Sequence, residues 1–197
     1  MQVVFLQETQ GQYLPVRNKC QDSHVIRFNS SCYNIAMNDN SIQLITRLAA
    51  LACSKQLRVC TAESCTGGLI AKSFTDLAGS SDWFECGFVT YSNQSKTEMI
   101  GVPESVIAEY GAVSEAVVNA MASGALRYSA ADISIAVTGV AGPDGGSDDK
   151  PVGTIWIGVA SSHQQMAIKY QFDGDREAIR EETMHQAIED VLRLIDS

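Results

Sequence analysis

The sequence predicts an α/β domain in which helices pack against a mixed β-sheet. Segments with helical spacing of apolar residues alternate with short apolar runs as far as residue 139, and two extended segments then follow each other. The length of 197 residues and the hydrophobic content of 45% allow one domain with a sizeable core. We therefore expect strands that alternate with helices, followed by a last pair of strands joined by a short connection.

Residues 1–40 differ from the rest of the chain because they show no sustained apolar period. We expect residues 1–40 to be a poorly ordered N-terminal extension and residues 41–197 to form the domain. Two origins for the extension remain open. Either translation naturally starts at Met37, or VVFLQ near the N-terminus is an edge strand followed by a flexible connector.

The first helix is predicted over residues 40–56, where Asn40 and Gln43 stand at the spacing of a capping box. One apolar stripe of this helix is expected to face the core, and it consists of Ile42, Ile45, Leu48, Ala49 and Ala52. LRVCTAES then predicts a short buried strand. GGLIAKSFTDLAG predicts a helix that ends at Gly79.

The middle of the chain continues this alternation. FECGFVTYS predicts a strand, SNQSKTEMIG a helix start, and PESVIAEYG a short helix with Pro103 in its first turn. Ser114 opens a long helix over SEAVVNAMASGALRYSA, and DISIAVTG predicts a buried strand. GTIWIGVASS and MAIKYQF predict the strand pair. A C-terminal helix is expected from about Asp175 to Ile195, with Ile179, Ile188, Val191 and Ile195 facing inward.

The charge and composition exclude several classes of protein. The net charge is −9, and residues 173–197 hold eight acidic residues against three Arg, so direct nucleic-acid binding is disfavoured. No apolar run is long enough for a membrane span, and we expect a cytoplasmic protein with reduced cysteines. The six Cys and three His show no metal-ligand spacing, so neither a metal nor another cofactor is expected.

Polar or glycine-rich segments follow three of the predicted strands. They are TAESCTGG, TYSNQSK and TGVAGPDGGSDDKPVG. In open α/β sheets the ligand crevice lies beyond the carboxyl ends of the strands. The three segments are therefore expected to converge at one edge of the sheet.

Ser64 lies where a strand runs into a helix, an arrangement similar to a nucleophile elbow although GxSxG is absent. The first N–H groups of that helix, near Thr66 and Gly67, would stabilise an oxyanion. Simple helix capping is the alternative for this segment. Cys65 is intrinsically the better nucleophile, but it should point into the core if Ser64 faces the crevice. Glu63 either accepts backbone N–H bonds or orients a lysine.

A serine nucleophile needs a base, and no His lies near a predicted strand end. Tyr91 and Lys96 can supply it, because a desolvated lysine can be neutral enough to accept the serine proton. Considered separately, Tyr91 and Lys96 could each instead be an ordinary solvent-exposed side chain. The glycine-rich loop after residue 138 can form an anion-binding nest, or it is a flexible surface loop.

TAESCTGGLIAKSFTDLAGSSDWFECGFVTYSNQSKTEMIGV, GAVSEAVVNAMASGAL and SIAVTGVAGPDGGSDDKPVGTIWIGVA resemble the CinA C-terminal domain family, specifically its stand-alone nicotinamide-nucleotide amidases. The resemblance covers residues 41–197. It implies a three-layer α/β/α sandwich with a mixed sheet, a homodimer, and hydrolysis of nicotinamide mononucleotide to nicotinate mononucleotide and ammonia in pyridine nucleotide salvage.

The resemblance also implies functional residues. The catalytic residues are Ser64, Tyr91 and Lys96. The substrate-binding residues, assigned by motif alone, are Thr66, Gly67, Gly68, Ser114, Gly139, Gly142, Gly145 and Lys150. A non-catalytic nucleotide-binding domain, or a module of DNA uptake or damage responses, is the alternative function.

Overall fold

A computed structural model describes residues 39–196. The prediction of a poorly ordered extension concerns residues that lie almost entirely outside this range. In chain order the elements are α1 Asp39–Lys55, β1 Val59–Glu63, α2 Leu69–Thr75, β2 Phe84–Val89, α3 Asn93–Ile100, α4 Glu104–Tyr110, α5 Glu115–Arg127, β3 Ile133–Gly139, β4 Thr154–Ser161, β5 Gln165–Gln171 and α6 Arg176–Asp196.

The five strands form one mixed sheet in the order β2-β1-β3-β4-β5. β2, β1 and β3 are parallel, whereas β4 is antiparallel to both β3 and β5. The predicted mixed sheet is therefore confirmed. The carboxyl ends of β1, β2 and β3 meet at one edge, and the antiparallel pairing brings the end of β5 to that same edge.

Helices cover both faces of the sheet, which confirms the three-layer sandwich. On one face, α1, α2 and α6 bury an apolar cluster that includes Ile45, Phe74 and Ile188. On the other face, α3 and α5 bury a second cluster that includes Ile100 and Met121. The strands supply both clusters because successive side chains point to opposite faces.

Two local expectations are wrong. Ile42 is 36% exposed, although the four other residues of the predicted α1 stripe are buried. Helix α2 ends at Thr75, and Gly79 instead precedes a short 3-10 turn at Ser80–Asp82. Leu77, beyond the end of the helix, is buried in the core.

No helix within residues 39–196 combines the length and apolarity needed to cross a membrane.

Helices α3 and α5 approach each other closely at Gly124. A Cβ at this position would lie 2.0 Å from the carbonyl oxygen of Ile100. We expect Gly124→Ala to lower the free energy of unfolding by about 1–3 kcal/mol, even though alanine ordinarily favours a helix. Urea denaturation measures this change. The exposed Arg127→Ala in the same helix should leave the midpoint almost unchanged, and an equally small effect of Gly124→Ala would contradict the close approach.

Candidate active site

Ser64 lies in a sharp turn between β1 and α2. Its N–H donates to the carbonyl oxygen of Val137 at 3.1 Å, which continues the β1–β3 pairing for one more residue. Gly67 and Gly68 then adopt positive φ values of 62° and 95°, which reverse the chain into α2. The predicted strand–turn–helix arrangement is confirmed, and Ser64 faces a cavity of about 310 Å³.

Lys96 lies beside Ser64 in this cavity. Its Nζ is 3.0 Å from Ser64 Oγ and donates to the carbonyl oxygen of Thr90 at 2.9 Å. The side chain is 1% exposed, and burial lowers the pKa of the amine. No Asp or Glu within residues 39–196 forms a salt bridge with it. A buried amine without a counterion, next to a hydroxyl, is suited to remove the hydroxyl proton.

The first turn of α3 places Lys96. Ser92 is the N-cap, and its hydroxyl accepts from the N–H of Ser95 while the Ser95 hydroxyl accepts from the N–H of Ser92. This capping box fixes where the helix begins. Lys96 therefore projects from a defined position towards the end of β1.

Tyr91 also lines the cavity, but its side chain is 61% exposed. Its phenol oxygen accepts from Arg176 Nη2 at 3.2 Å. Only its backbone carbonyl approaches Lys96, 3.5 Å from Nζ. The structure thus places the phenol at the mouth of the cavity, paired with Arg176 and not with Ser64 or Lys96. Its predicted role as proton relay stays a prediction.

Three glycines at the end of β3 and in the loop that follows it line the cavity as expected, namely Gly139, Gly142 and Gly145. Gly139 has no room for a side chain, because a Cβ there would lie 2.4 Å from Ile155 Cδ1. Gly142 and Gly145 adopt positive φ values of 78° and 88°. The loop backbone therefore forms one wall of the cavity.

The other predicted ligand contacts lie outside the cavity lining, and they are Thr66, Gly67, Gly68, Ser114 and Lys150. Ser114 caps α5 by accepting from the N–H of Val117 at 3.3 Å. Lys150 Nζ donates to the carbonyl oxygen of Tyr110 at 3.2 Å. A role of these residues in ligand binding stays a prediction.

The Glu63 carboxylate binds the N–H groups at the start of α2, so these groups are not available to a substrate. The carboxylate accepts from the N–H groups of Gly68, Ile70 and Ala71, and the N–H of Gly67 donates to the carbonyl oxygen of Ser64. The expectation that the Gly67 N–H would face an oxyanion on Ser64 is therefore wrong. Of the two possibilities for Glu63, the acceptance of backbone N–H bonds is confirmed.

Cys65 is buried, with 6% of its surface exposed, and belongs to the core beneath α2. Burial raises the pKa of its thiol to about 12. At neutral pH the thiol therefore stays protonated and is a poor nucleophile. Its burial in the core agrees with the expectation of a structural cysteine, although Cys65 also borders the cavity.

Four polar residues that were not predicted as site residues also line the cavity, namely Asn93, Thr138, Asp144 and Arg176. Asn93 is three residues before Lys96 on the same helix, so helical spacing could have indicated it. Arg176 begins α6, and its Nη1 donates to the carbonyl oxygen of Gly142 at 2.7 Å. No local pattern marks Arg176, because it reaches the site only through the antiparallel pairing of β5.

Within residues 39–196, no three His, Cys, Asp or Glu side chains are grouped closely enough to hold a metal ion.

Comparison with known proteins shows the family. The CinA C-terminal domain matches residues 41–195. The chain is 51% identical over 152 residues to the Nicotinamide-nucleotide amidohydrolase PncC of Enterobacter agglomerans, covering 77% of this chain and 93% of that one. The protein of the same name from Escherichia coli K12 is 48% identical over 155 residues, which cover 78% and 94% of the two chains.

A solved structure supports the same relationship. The competence/damage inducible protein CihA from Agrobacterium tumefaciens superposes with a TM-score of 0.79 at 38% identity, covering 83% of this chain and 99% of that one. The sequence match and the fold agree. The chain belongs to the CinA C-terminal domain family.

Proposed function

We propose that the protein hydrolyses the carboxamide of nicotinamide mononucleotide to give nicotinate mononucleotide and ammonia, a step of pyridine nucleotide salvage. The proposal rests on the 3.0 Å distance between Ser64 Oγ and the buried Lys96 Nζ within one cavity. The names of the relatives from Enterobacter agglomerans and Escherichia coli supply the substrate class.

The reaction is an acyl transfer through Ser64. Neutral Lys96 accepts the hydroxyl proton while Ser64 Oγ forms a bond to the carboxamide carbon. The C–N bond then breaks, and ammonia leaves with the proton that Lys96 returns. Water attacks the resulting ester, which releases the carboxylate product and restores the hydroxyl. The electron-withdrawing pyridinium ring makes the carbonyl carbon more reactive.

Arg176 is the group best suited to meet the phosphate of this substrate. Among the residues that line the cavity, Lys96 and Arg176 are the cations, and Lys96 is buried against Ser64. Arg176 lies at the mouth, where the guanidinium can offer paired N–H donors to phosphate oxygens. The carboxamide would then lie at the inner end beside Ser64.

Arg176→Ala is expected to raise KM for nicotinamide mononucleotide by about 10- to 100-fold, the usual cost of losing a charged hydrogen bond. Steady-state ammonia release measures this change. Because nicotinamide riboside lacks the phosphate, its kcat/KM should change little. Arg127→Ala, which removes an exposed cation outside the cavity lining, is the matched control. An equal loss for the mononucleotide and the riboside would contradict phosphate recognition.

The proposed function is tested by measuring ammonia release from nicotinamide mononucleotide, with an amide that lacks the nucleotide as the control. Release from the mononucleotide alone supports the proposal. Binding of the mononucleotide without release would favour the alternative of a non-catalytic nucleotide-binding domain.

We also propose that the enzyme is a cytoplasmic homodimer that does not bind nucleic acid. The free cysteines Cys60, Cys65 and Cys86 fit a reducing compartment. The net charge of −9 opposes contact with phosphate backbones. Light scattering measures the assembly state.

A further inference from the structure

Glu63 is a fully buried carboxylate directly before the nucleophile, and the mechanism above gives it no role. Its exposed fraction is 0%. Both oxygens accept hydrogen bonds: Oε1 from Thr61 Oγ1 at 3.3 Å and Ala71 N at 2.8 Å, and Oε2 from Thr66 Oγ1 at 2.7 Å, Gly68 N at 3.0 Å and Ile70 N at 3.1 Å. Five donors around one side chain fix it rigidly.

We propose that Glu63 is a positioning residue for the hydrolysis, which keeps Ser64 within hydrogen-bonding distance of Lys96 by fixing the turn between β1 and α2. The proposal deepens the function proposed above and rests on Ser64 as the nucleophile. Glu63 does not contact the reacting atoms. It acts through the backbone that connects it to Ser64.

The geometry of a strand gives Glu63 this role. Successive side chains point to opposite faces, so Glu63 faces α2 while Ser64 faces α3 and Lys96. The Ser64 N–H is held by Val137, and its carbonyl oxygen accepts from Gly67 N at 3.1 Å. The direction of the Ser64 side chain therefore depends on the path that the chain takes into α2, and Glu63 fixes that path.

Thr66 connects this carboxylate to a second support. Its hydroxyl donates to Glu63 Oε2, and its carbonyl oxygen accepts from Arg180 Nε at 3.1 Å. Arg180 belongs to α6, whereas Glu63 belongs to β1. The turn is consequently held from the sheet on one side and from the covering helix on the other.

A carboxylate is required here because each of its oxygens meets a backbone N–H donor. In Glu63→Gln, whichever way the amide is oriented, its NH₂ group faces either the N–H of Ala71 or those of Gly68 and Ile70. The NH₂ group and the backbone N–H then face each other as two buried donors without an acceptor, so the turn between β1 and α2 has to shift. The negative charge also compensates the positive end of α2.

The test compares Glu63→Gln with Asp190→Asn, a matched loss of charge at a second buried carboxylate. Asp190 is 0% exposed, accepts from Tyr170 Oη at 2.9 Å, and lies outside the cavity lining. We expect Glu63→Gln to lower kcat by about 100-fold, the effect of a misplacement near 1 Å, with KM changed less than about threefold. Both variants should lower Tm by similar amounts, because each removes the charge of a buried carboxylate. Asp190→Asn should nevertheless retain kcat.

A second pair of variants covers the case in which Glu63→Gln folds poorly. Thr66→Val removes one of the five donors and should lower kcat by about tenfold, a tenth of the loss expected for Glu63→Gln. Thr66→Ser retains the hydroxyl and should restore kcat. A kcat unchanged in folded Glu63→Gln would overturn the proposal, as would an equal loss of kcat in Asp190→Asn or a failure of Thr66→Ser to restore what Thr66→Val loses.

Labelling of Ser64 by a fluorophosphonate, followed by mass spectrometry, separates this proposal from the proposed function. If the wild type releases no ammonia from nicotinamide mononucleotide but is labelled rapidly at Ser64, the substrate assignment fails. The labelling rate of Ser64 then still tests whether Glu63 positions this residue. Slower labelling of Glu63→Gln than of Asp190→Asn then supports the proposal. Equal labelling rates in the two variants overturn it.

Discussion

Ser64→Ala is expected to reduce kcat for ammonia release from nicotinamide mononucleotide by about 10⁴-fold or more, as the loss of a serine nucleophile does in other hydrolases. The variant lacks the oxygen that forms the acyl-enzyme, and Lys96 Nζ loses the hydroxyl 3.0 Å away. Fold stability should change little, because the deletion removes a single oxygen that faces the cavity. A coupled ammonia assay under substrate saturation measures the loss.

Cys65→Ala is the matched control for this experiment because it changes the adjacent residue. Burial raises the pKa of the Cys65 thiol to about 12, so the thiol supplies no nucleophile at neutral pH. We expect this variant to retain kcat within a few-fold and to lose some stability from the cavity that it creates. The assignment of the nucleophile is wrong if Cys65→Ala is inactive while Ser64→Ala still turns over.

The fold was largely predictable because the apolar period changes from helical to extended at each boundary. The buried residues of α1, such as Leu48 and Ala52, follow directly from that period. The end of α2 was not predictable from local pattern, because the sequence favours a helix as far as Gly79 whereas α2 ends at Thr75. Local helix propensity is a weak guide to where a helix ends in a folded protein.

The site was predictable where its residues follow parallel strands. Ser64 and Lys96 each come shortly after such a strand, and the topology brings them together. Arg176 was not predictable, since its place depends on the antiparallel pairing of β5. The direction of the Tyr91 phenol was equally inaccessible from sequence, because it is set by the contact with Arg176.

Lys96→Met is expected to lower kcat by about 10³-fold, within the usual contribution of a general base. Methionine keeps the unbranched shape of the side chain but cannot accept the Ser64 proton. Lys96→Arg should be equally inactive, because a guanidinium does not deprotonate in the accessible pH range. Ammonia release together with circular dichroism separates lost chemistry from lost folding. Substantial activity in Lys96→Arg would contradict a role for Lys96 as base.

The pH dependence of kcat/KM tests the same assignment through the lowered pKa of Lys96. Burial disfavours the charged amine, and the neutral amine is the active form, so activity should rise with pH. The plateau of kcat/KM should begin below pH 10.5, the ordinary lysine pKa.

The lowered pKa of Lys96 also makes the stability of the fold depend on pH, because the folded protein binds the Lys96 proton less tightly than the unfolded chain does. This destabilisation is present below the lowered pKa and disappears as the pH rises towards 10.5, so any gain in stability in Lys96→Met should shrink over that interval. If kcat/KM is independent of pH, or rises only around the ordinary lysine pKa, Lys96 is not the desolvated base.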